Sequence, residues 1–146
     1  MMKLVTKTFD ELTTAELYEI YKLRISVFVV EQNCPYQEID DADKAAIHLW
    51  LQDETGIQAY ARALPPGATF PEASIGRVIA AKRHCGLGTQ IVSAAIQIIQ
   101  EKFHTQTIKI EAQTYAKSLY EKLGFVQISE QFLEDGIPHV MMEYKK

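Results

Sequence analysis

Ser74-Ile75-Gly76-Arg77-Val78-Ile79-Ala80-Ala81-Lys82-Arg83-His84-Cys85-Gly86-Leu87-Gly88-Thr89 is the stretch on which the fold turns. Its first half, residues 74–81, has a β-branched centre and reads as a strand. Residues 87–102 follow as a helix, with Leu87, Ile91, Ala95 and Ile98 on one face and Ala94 and Ile99 widening it. Residues 107–112 then form a short strand. A strand, a helix and a second strand in this order predict a right-handed crossover with the two strands parallel.

Outward from this unit, residues 3–9 alternate weakly and read as a strand. Thr13-Thr14-Ala15-Glu16 fits a capping box in which Thr13 and Glu16 satisfy reciprocal backbone donors. Leu17, Ile20, Tyr21, Val27 and Phe28 follow at helical spacing, and Pro35 stops whatever begins there. Residues 47–51 and 57–64 are strands around the turn Asp53-Glu54-Thr55-Gly56. Leu64-Pro65-Pro66-Gly67-Ala68-Thr69-Phe70-Pro71 admits neither helix nor central strand and reads as an excursion between two strands. Ala116, Leu119, Tyr120 and Leu123 mark a short helix over residues 115–123, which Gly124 ends. Residues 126–132 and 138–144 form a hairpin around Asp135-Gly136. The expected class is α/β (α+β): a mixed central sheet of about six to seven strands with helices on both faces.

The chain has 146 residues, 47% hydrophobic and 23% charged, which predicts one domain over residues 1–146 and excludes a disordered chain. No apolar run approaches the roughly 18 residues of a membrane span, and residues 1–7 lack the apolar stretch of a secretory signal. The net charge of −4 argues against a nucleic-acid partner. Two cysteines, Cys34 and Cys85, without a Cys-x-x-Cys pattern, predict a reduced, cytoplasmic protein. His48, His84, His104 and Cys34 show no metal-ligand spacing, so no metal is expected. There is no Gly-x-Ser-x-Gly elbow for a serine hydrolase.

The segment Arg83-His84-Cys85-Gly86-Leu87-Gly88-Thr89 joins strand to helix. Free N–H groups and the positive end of the helix dipole point out of such a junction. Two glycines let the backbone approach a bulky anion, and Arg83 adds charge, a combination suited to a phosphate or pyrophosphate. A P-loop would need Lys after Gly88, where Thr89 and Gln90 stand. A Rossmann fingerprint would need a third glycine where Ile91 stands, and an acidic residue further on where only Glu111 is offered. A helix start that happens to hold two glycines is the plain alternative.

A second segment changes that balance. Gln113-Thr114-Tyr115-Ala116-Lys117-Ser118-Leu119-Tyr120-Glu121-Lys122-Leu123-Gly124-Phe125 comes one strand later. Arg-x-x-Gly-x-Gly followed about 30 residues on by Ala-x-x-x-Tyr-x-x-x-Gly-Phe resembles the GNAT superfamily of acyl-CoA-dependent N-acetyltransferases. Phe28-Val29-Val30-Glu31-Gln32-Asn33-Cys34-Pro35, Ile39-Asp40 and Asp135-Gly136-Ile137-Pro138-His139 resemble its ElaA-like branch.

The resemblance implies acetyl-CoA as donor, an amine as acceptor and a GNAT-like fold over nearly the whole chain. It implies that the backbone of Val78, Ile79 and Ala80 pairs with the pantetheine arm. The pyrophosphate would lie on the backbone of Arg83, Gly86, Leu87, Gly88 and Thr89. Ser118 and Tyr120 join the cofactor contacts, with Tyr120 donating to the leaving sulfur. Many members carry Asn seven residues before this Tyr, where Gln113 stands here.

Acetyl transfer to an amine makes three demands. The amine must be neutral, the carbonyl oxygen needs a preorganised donor, and the thiolate needs a proton or a hydrogen bond. The Ile79 N–H is the candidate for the second. Tyr120, protonated below about pH 10, suits the third, although its place on an apolar face also fits the core. Glu31, His139 and Glu111 are candidates for the base, each with an ordinary structural alternative. Arg24 and Arg62 are expected either at substrate or phosphate or in surface salt bridges. Glu38-Ile39-Asp40-Asp41-Ala42-Asp43 reads as a solvated loop, with an acidic lip for a cationic amine as the sharper reading. Cys85 is expected to be a small filler. A CoA- or ligand-binding domain of the same fold without turnover is the rival, and the last hairpin's edge could pair two subunits into a homodimer.

Overall fold

In a computed structural model, which describes residues 2–82 and 85–145, the chain forms two antiparallel sheets joined at one point. β1 (Lys3–Thr8), β2 (Ile47–Asp53), β3 (Gly56–Leu64) and β4 (Ser74–Ala80) follow one another in the first sheet. In the second, β8 (Ile137–Lys145) lies between β5 (Thr107–Gln113) and β6 (Phe125–Gln127) and also pairs with β7 (Phe132–Glu134). The expected single sheet of six to seven strands is thus eight strands in two sheets among the described residues. β4 and β5 have the predicted parallel sense but form no ladder among the described residues beyond the Ala73–Ile108 bridge just before β4, where the Lys109 N–H donates to the Ala73 carbonyl at 2.9 Å.

The expected strand over residues 126–132 is interrupted between β6 and β7. The Ser129 hydroxyl accepts the Met141 N–H at 2.9 Å, so a side chain replaces the ladder partner there. The Asp135-Gly136 turn stands where it was expected, between β7 and β8.

Helices cover both faces of the first sheet. α3 (Leu87–Lys102) buries Ile91, Val92, Ala95, Ile96 and Ile99 against Leu49, Ala61, Ile108 and Ile110. Its buried stripe runs through Ile91, Ala95 and Ile99, four residues apart, and Ile98 lies at its flank. α1 (Thr14–Ile25) packs on the other face, where Ile20 meets Trp50, Tyr60 and Ile79. Its capping box is formed: Thr13 Oγ1 accepts the Glu16 N–H at 3.1 Å and Glu16 accepts the Thr13 N–H at 2.9 Å.

α1 does not stop at Ile25. It widens into a π-helical stretch over Ser26–Glu31, where the Gln32 and Cys34 N–H groups reach back five residues to Val27 and Val29. Such stretches are rare and recur at functional sites. α2 (Ala42–Ala45) is a single turn, and α4 (Lys117–Lys122) follows a 3-10 turn over Thr114–Ala116.

Candidate active site

β4 and β5 diverge beyond their single bridge, and a cleft of about 1300 Å³ opens between them. It is lined by Val78, Ile79 and Ala80 of β4, Gly86 to Thr89 at the start of α3, and Glu111 and Gln113 of β5. Ser118 and Tyr120 of α4, Glu31 at the end of the π-helical stretch and His139 of β8 complete it. The described residues expected at the cofactor, the acid and the base therefore share one cavity, whereas Arg24 and Cys85 do not line it. Arg83 lies outside the described residues.

The geometry of β4 decides which backbone groups face the cleft. Between Tyr60 and Arg62 of β3 stands one residue, whereas two, Arg77 and Val78, stand between their partners Ile79 and Gly76. This is a β-bulge, and Arg77 carries it with a left-handed backbone, φ +53°. A non-glycine residue held so costs about 1–3 kcal/mol. The Ala81 N–H donates to the Gln58 carbonyl at 2.8 Å. Antiparallel ladders alternate every two residues, and Ile79, opposite Tyr60, is in phase with Ala81. The Ile79 N–H therefore turns toward β3, and the outward N–H groups are those of Val78 and Ala80. This corrects the assignment of the free donor to Ile79. Sequence alone carried one sign of the shift: Gly76 inside a strand pattern marks a bulge.

At the opposite end, Gly86 caps α3 in the left-handed region, φ +75° and ψ 4°. The first intrahelical bond runs from the Gln90 N–H to the Gly86 carbonyl at 3.0 Å, which leaves the N–H groups of Leu87, Gly88 and Thr89 without helical partners. Gly88 has a different reason to be small. A Cβ there would lie 2.7 Å from Leu119 Cδ1, so its missing side chain lets α4 close on α3. Cys85 is exposed, not a filler.

Tyr120 is 8% exposed, and its ring meets Phe125 edge-on at 5.6 Å. Burial, with a smaller contribution from Tyr115, raises its pKa above the usual phenol value, so the hydroxyl stays protonated. Gln113 exchanges hydrogen bonds with Gln32 at 3.3 and 3.4 Å, tying β5 to the end of the π-helical stretch. Glu111, Gln113 and His139 lie on one face of the β5–β8 ladder, the face opposite the buried Ile110, Ala112 and Val140. Glu111 keeps an open side to solvent, yet desolvation at the cleft wall, and then Glu134, raise its pKa, while His139 lowers it. His139 Nδ1 lies 2.7 Å from the Ile137 carbonyl, and its ring stacks on Phe132. Glu31 is exposed at the rim.

Beneath the cleft lies what the sequence reading missed. The acidic run is solvated only at Asp41; Glu38, Asp40 and Asp43 turn inward, and Arg24 and Arg62 are not surface residues. Glu38 and Asp43 are 2% and 1% exposed, Arg24 and Arg62 0% and 3%. Arg24 Nε donates to Glu38 Oε2 and its Nη1 to Asp43 Oδ1, both at 2.8 Å. Arg62 grips Asp40 with two bonds, 2.6 and 3.1 Å, and reaches Asp43 at 3.0 Å. Arg77 pairs with Glu38 Oε1 and donates through Nη2 to the Glu38 carbonyl at 3.0 Å. Three guanidinium groups and three carboxylates thus neutralise one another. Burial alone would raise the Asp40 pKa, but Arg62, Arg77 and Arg24 bring it below the usual carboxylate range. His48 completes the layer. Its Nδ1 is 2.7 Å from the Tyr60 hydroxyl and its Nε2 2.9 Å from the Asp43 carbonyl, and burial lowers its pKa.

Comparison with known proteins adds the decisive observation: the Acetyltransferase (GNAT) domain family matches residues 22–146. The chain belongs to the GNAT acetyltransferase family. A UPF0039 protein of Schizosaccharomyces pombe is 40% identical over 97% of this chain and 95% of its own. Protein ElaA of Escherichia coli is 37% identical over 91% of this chain and 90% of its own. The crystal structure of E. coli ElaA superposes with a TM-score of 0.92 over 99% of this chain and all of that one, at 33% identity. An acyl-CoA N-acyltransferase from Pseudomonas aeruginosa gives 0.90 over 97% and 99%, at 36% identity. These place the chain in the ElaA-like branch and the cleft in an N-acyltransferase fold that works on acyl-CoA. Among the described residues, no helix is long and apolar enough to cross a membrane, and no cluster of His, Cys, Asp or Glu is arranged for a metal ion.

Proposed function

We propose that the protein transfers an acetyl group from acetyl-CoA to a primary amine by direct attack of the amine on the thioester. The outward edge of β4 in the cleft carries this reading. The pantetheine arm extends along the outward backbone of Val78 and Ala80 as an added strand, and the pyrophosphate rests on the N–H groups of Leu87, Gly88 and Thr89, which no helical carbonyl takes up. Gly86 leaves the approach open: among the described residues beyond its chain neighbours, no heavy atom lies within 4 Å of where its Cβ would be.

As the nitrogen attacks, negative charge grows on the carbonyl oxygen. The Val78 N–H, outward at the bulge, takes the place first given to Ile79 and meets that charge. The C–S bond then breaks and the Tyr120 hydroxyl donates to the departing sulfur. Its raised pKa keeps that proton available. The amine proton passes to a carboxylate. Glu111 is favoured over Glu31 and His139, because its raised pKa brings it closer to the working pH. The chain acts as one domain in the cytoplasm, where Cys34 and Cys85 stay reduced.

Tyr120→Phe tests the reading. With acetyl-CoA and a panel of primary amines, thiol release is expected to fall by about 10²–10⁴-fold, the usual worth of a positioned acid. CoA affinity by calorimetry should stay within about threefold, far less than the tenfold that 1.4 kcal/mol makes. Wild-type protein that binds acetyl-CoA yet acetylates no amine would favour the rival, a binding domain of the same fold.

A further inference from the structure

The buried arginine layer and the catalytic edge of β4 meet at one residue. Arg77 is the left-handed residue of the bulge, φ +53°, and its neighbour Val78 presents the outward N–H. Its guanidinium runs from the bulge into the loop between the π-helical stretch and α2. There it pairs with Glu38, donates to the Glu38 carbonyl at 3.0 Å, reaches Asp40 Oδ2 at 3.4 Å and lies over the Tyr36 ring, 5.6 Å from its centroid.

Neither acid is free to move. Glu38 is held by Arg24 at 2.8 Å and by the Tyr36 hydroxyl at 2.9 Å, and Asp40 by two bonds from Arg62. Arg24 and Arg62 in turn share Asp43. Asp40, Arg62, Arg77 and Tyr36 also line the cleft. A strained backbone persists only where its surroundings over-determine it, and here the surroundings are this set of ion pairs.

We propose that Arg77 is a positioning residue: its guanidinium, clamped by Glu38 and Asp40, holds the β4 bulge in the left-handed conformation that aims the Val78 N–H at the thioester carbonyl. The inference rests on the β4 oxyanion reading above. It also gives the acidic run a task, which is to fix the edge that binds the acyl group. A displacement of about 1 Å at a reacting centre can cost about 10²-fold in rate, so a clamp of this kind matters without touching substrate.

The test uses acetyl-CoA labelled with ¹³C at the thioester carbonyl. A hydrogen bond from the β4 N–H polarises that carbonyl, which lowers its infrared stretch and moves its ¹³C resonance on binding. Wild-type protein is expected to show both shifts. Arg77→Gln should lose them while its affinity for acetyl-CoA changes by less than about threefold, since the α3 N-terminus still holds the pyrophosphate. Arg77→Gly separates backbone from side chain. Glycine adopts φ +53° freely but has no guanidinium, so this variant should also lose the shifts. Full shifts in either variant would overturn the clamp and leave the β4 oxyanion reading standing. Thermal melting checks that each variant is folded. If Arg77→Gln is not, Arg77→Lys decides: it keeps the charge without the fork that brackets Glu38 and Asp40, so weakened shifts support the clamp and full shifts overturn it. A wild-type complex with no carbonyl shift overturns the oxyanion reading itself, and the clamp with it.

Discussion

The outer edge of β4 and the charged layer beneath it handle polar groups in opposite ways. Along the edge and at the start of α3, backbone N–H groups have no ladder or helix partner among the described residues and face an open cleft. In the layer below, three arginines and three carboxylates are paired, and Glu38, Asp43, Arg24 and Arg62 are almost completely buried. Unpaired donors beside a cavity are disposed to bind something. Paired charges withdrawn from water hold a shape, because once one partner is removed the others stay buried without compensation. The difference separates residues that should govern activity from residues that should govern stability, although both sets line or underlie one cleft.

The sharpest break of that contrast is Arg24→Ala. It leaves Glu38 and Asp43 facing each other without their shared counter-ion, and loss of one partner from a buried pair costs about 3–5 kcal/mol. For a chain of this size that corresponds to a fall in Tm of about 6–20 °C, at about 2–4 °C per kcal/mol. Differential scanning calorimetry measures it. A variant that melts with the wild type would mean that the layer is not the scaffold described.

Next in size is the start of α3. Gly88→Ala places a Cβ against Leu119, and overpacking of this kind costs about 1–3 kcal/mol. Leu119 is a flexible side chain, so the double variant Gly88→Ala with Leu119→Ala should recover part of that loss. Recovery of stability would show that Gly88 serves the contact between α3 and α4. Recovered stability without recovered CoA binding would show that the glycine serves the cofactor as well.

These regions also differed in how much the sequence disclosed. The order of elements in the β4–α3–β5 unit was legible, because its signals are local: a β-branched run, a glycine-marked junction and an apolar stripe repeating every four residues. The predicted α3 limits coincide with those observed, Leu87–Lys102. Ser118 and Tyr120, singled out from the motif, line the cavity, as do Glu111 and His139, singled out only as titratable residues on strands. What stayed hidden depends on distant pairing. Glu38 and Asp43 look like solvated charges until Arg24, 14 and 19 residues away, and Arg77, 39 residues from Glu38, close on them. The phase of the β4 ladder was only hinted at by Gly76, since one bulge residue moves the free donor from Ile79 to Val78. The break between β6 and β7 rests on a single serine hydroxyl opposite Met141.

The smallest predicted effect concerns pH. His48 sits in the charged layer as a neutral imidazole that accepts from the Tyr60 hydroxyl and donates to the Asp43 carbonyl. Burial holds its pKa below the ordinary value of about 6.5. Below about pH 6.5 the unfolded chain therefore binds a proton that the native protein refuses, and stability falls with pH until the native imidazole also titrates. The slope of that arm cannot exceed about 1.4 kcal/mol per pH unit for one group. Asp40 has the same sign in a lower window: its pKa is depressed on folding, so its contribution is lost below about pH 3.9. Glu111 works the other way. Its pKa is raised, so its contribution is present below about pH 4.3 and is lost as pH rises through the native value. In urea denaturation between pH 5 and pH 7.5 the His48 arm is the rise of stability with pH, opposite in sign to the Glu111 contribution. In His48→Gln the slope should disappear, because an amide can keep one donor and one acceptor but cannot take up a proton. A slope that survives the substitution would place the titrating group outside the charged layer.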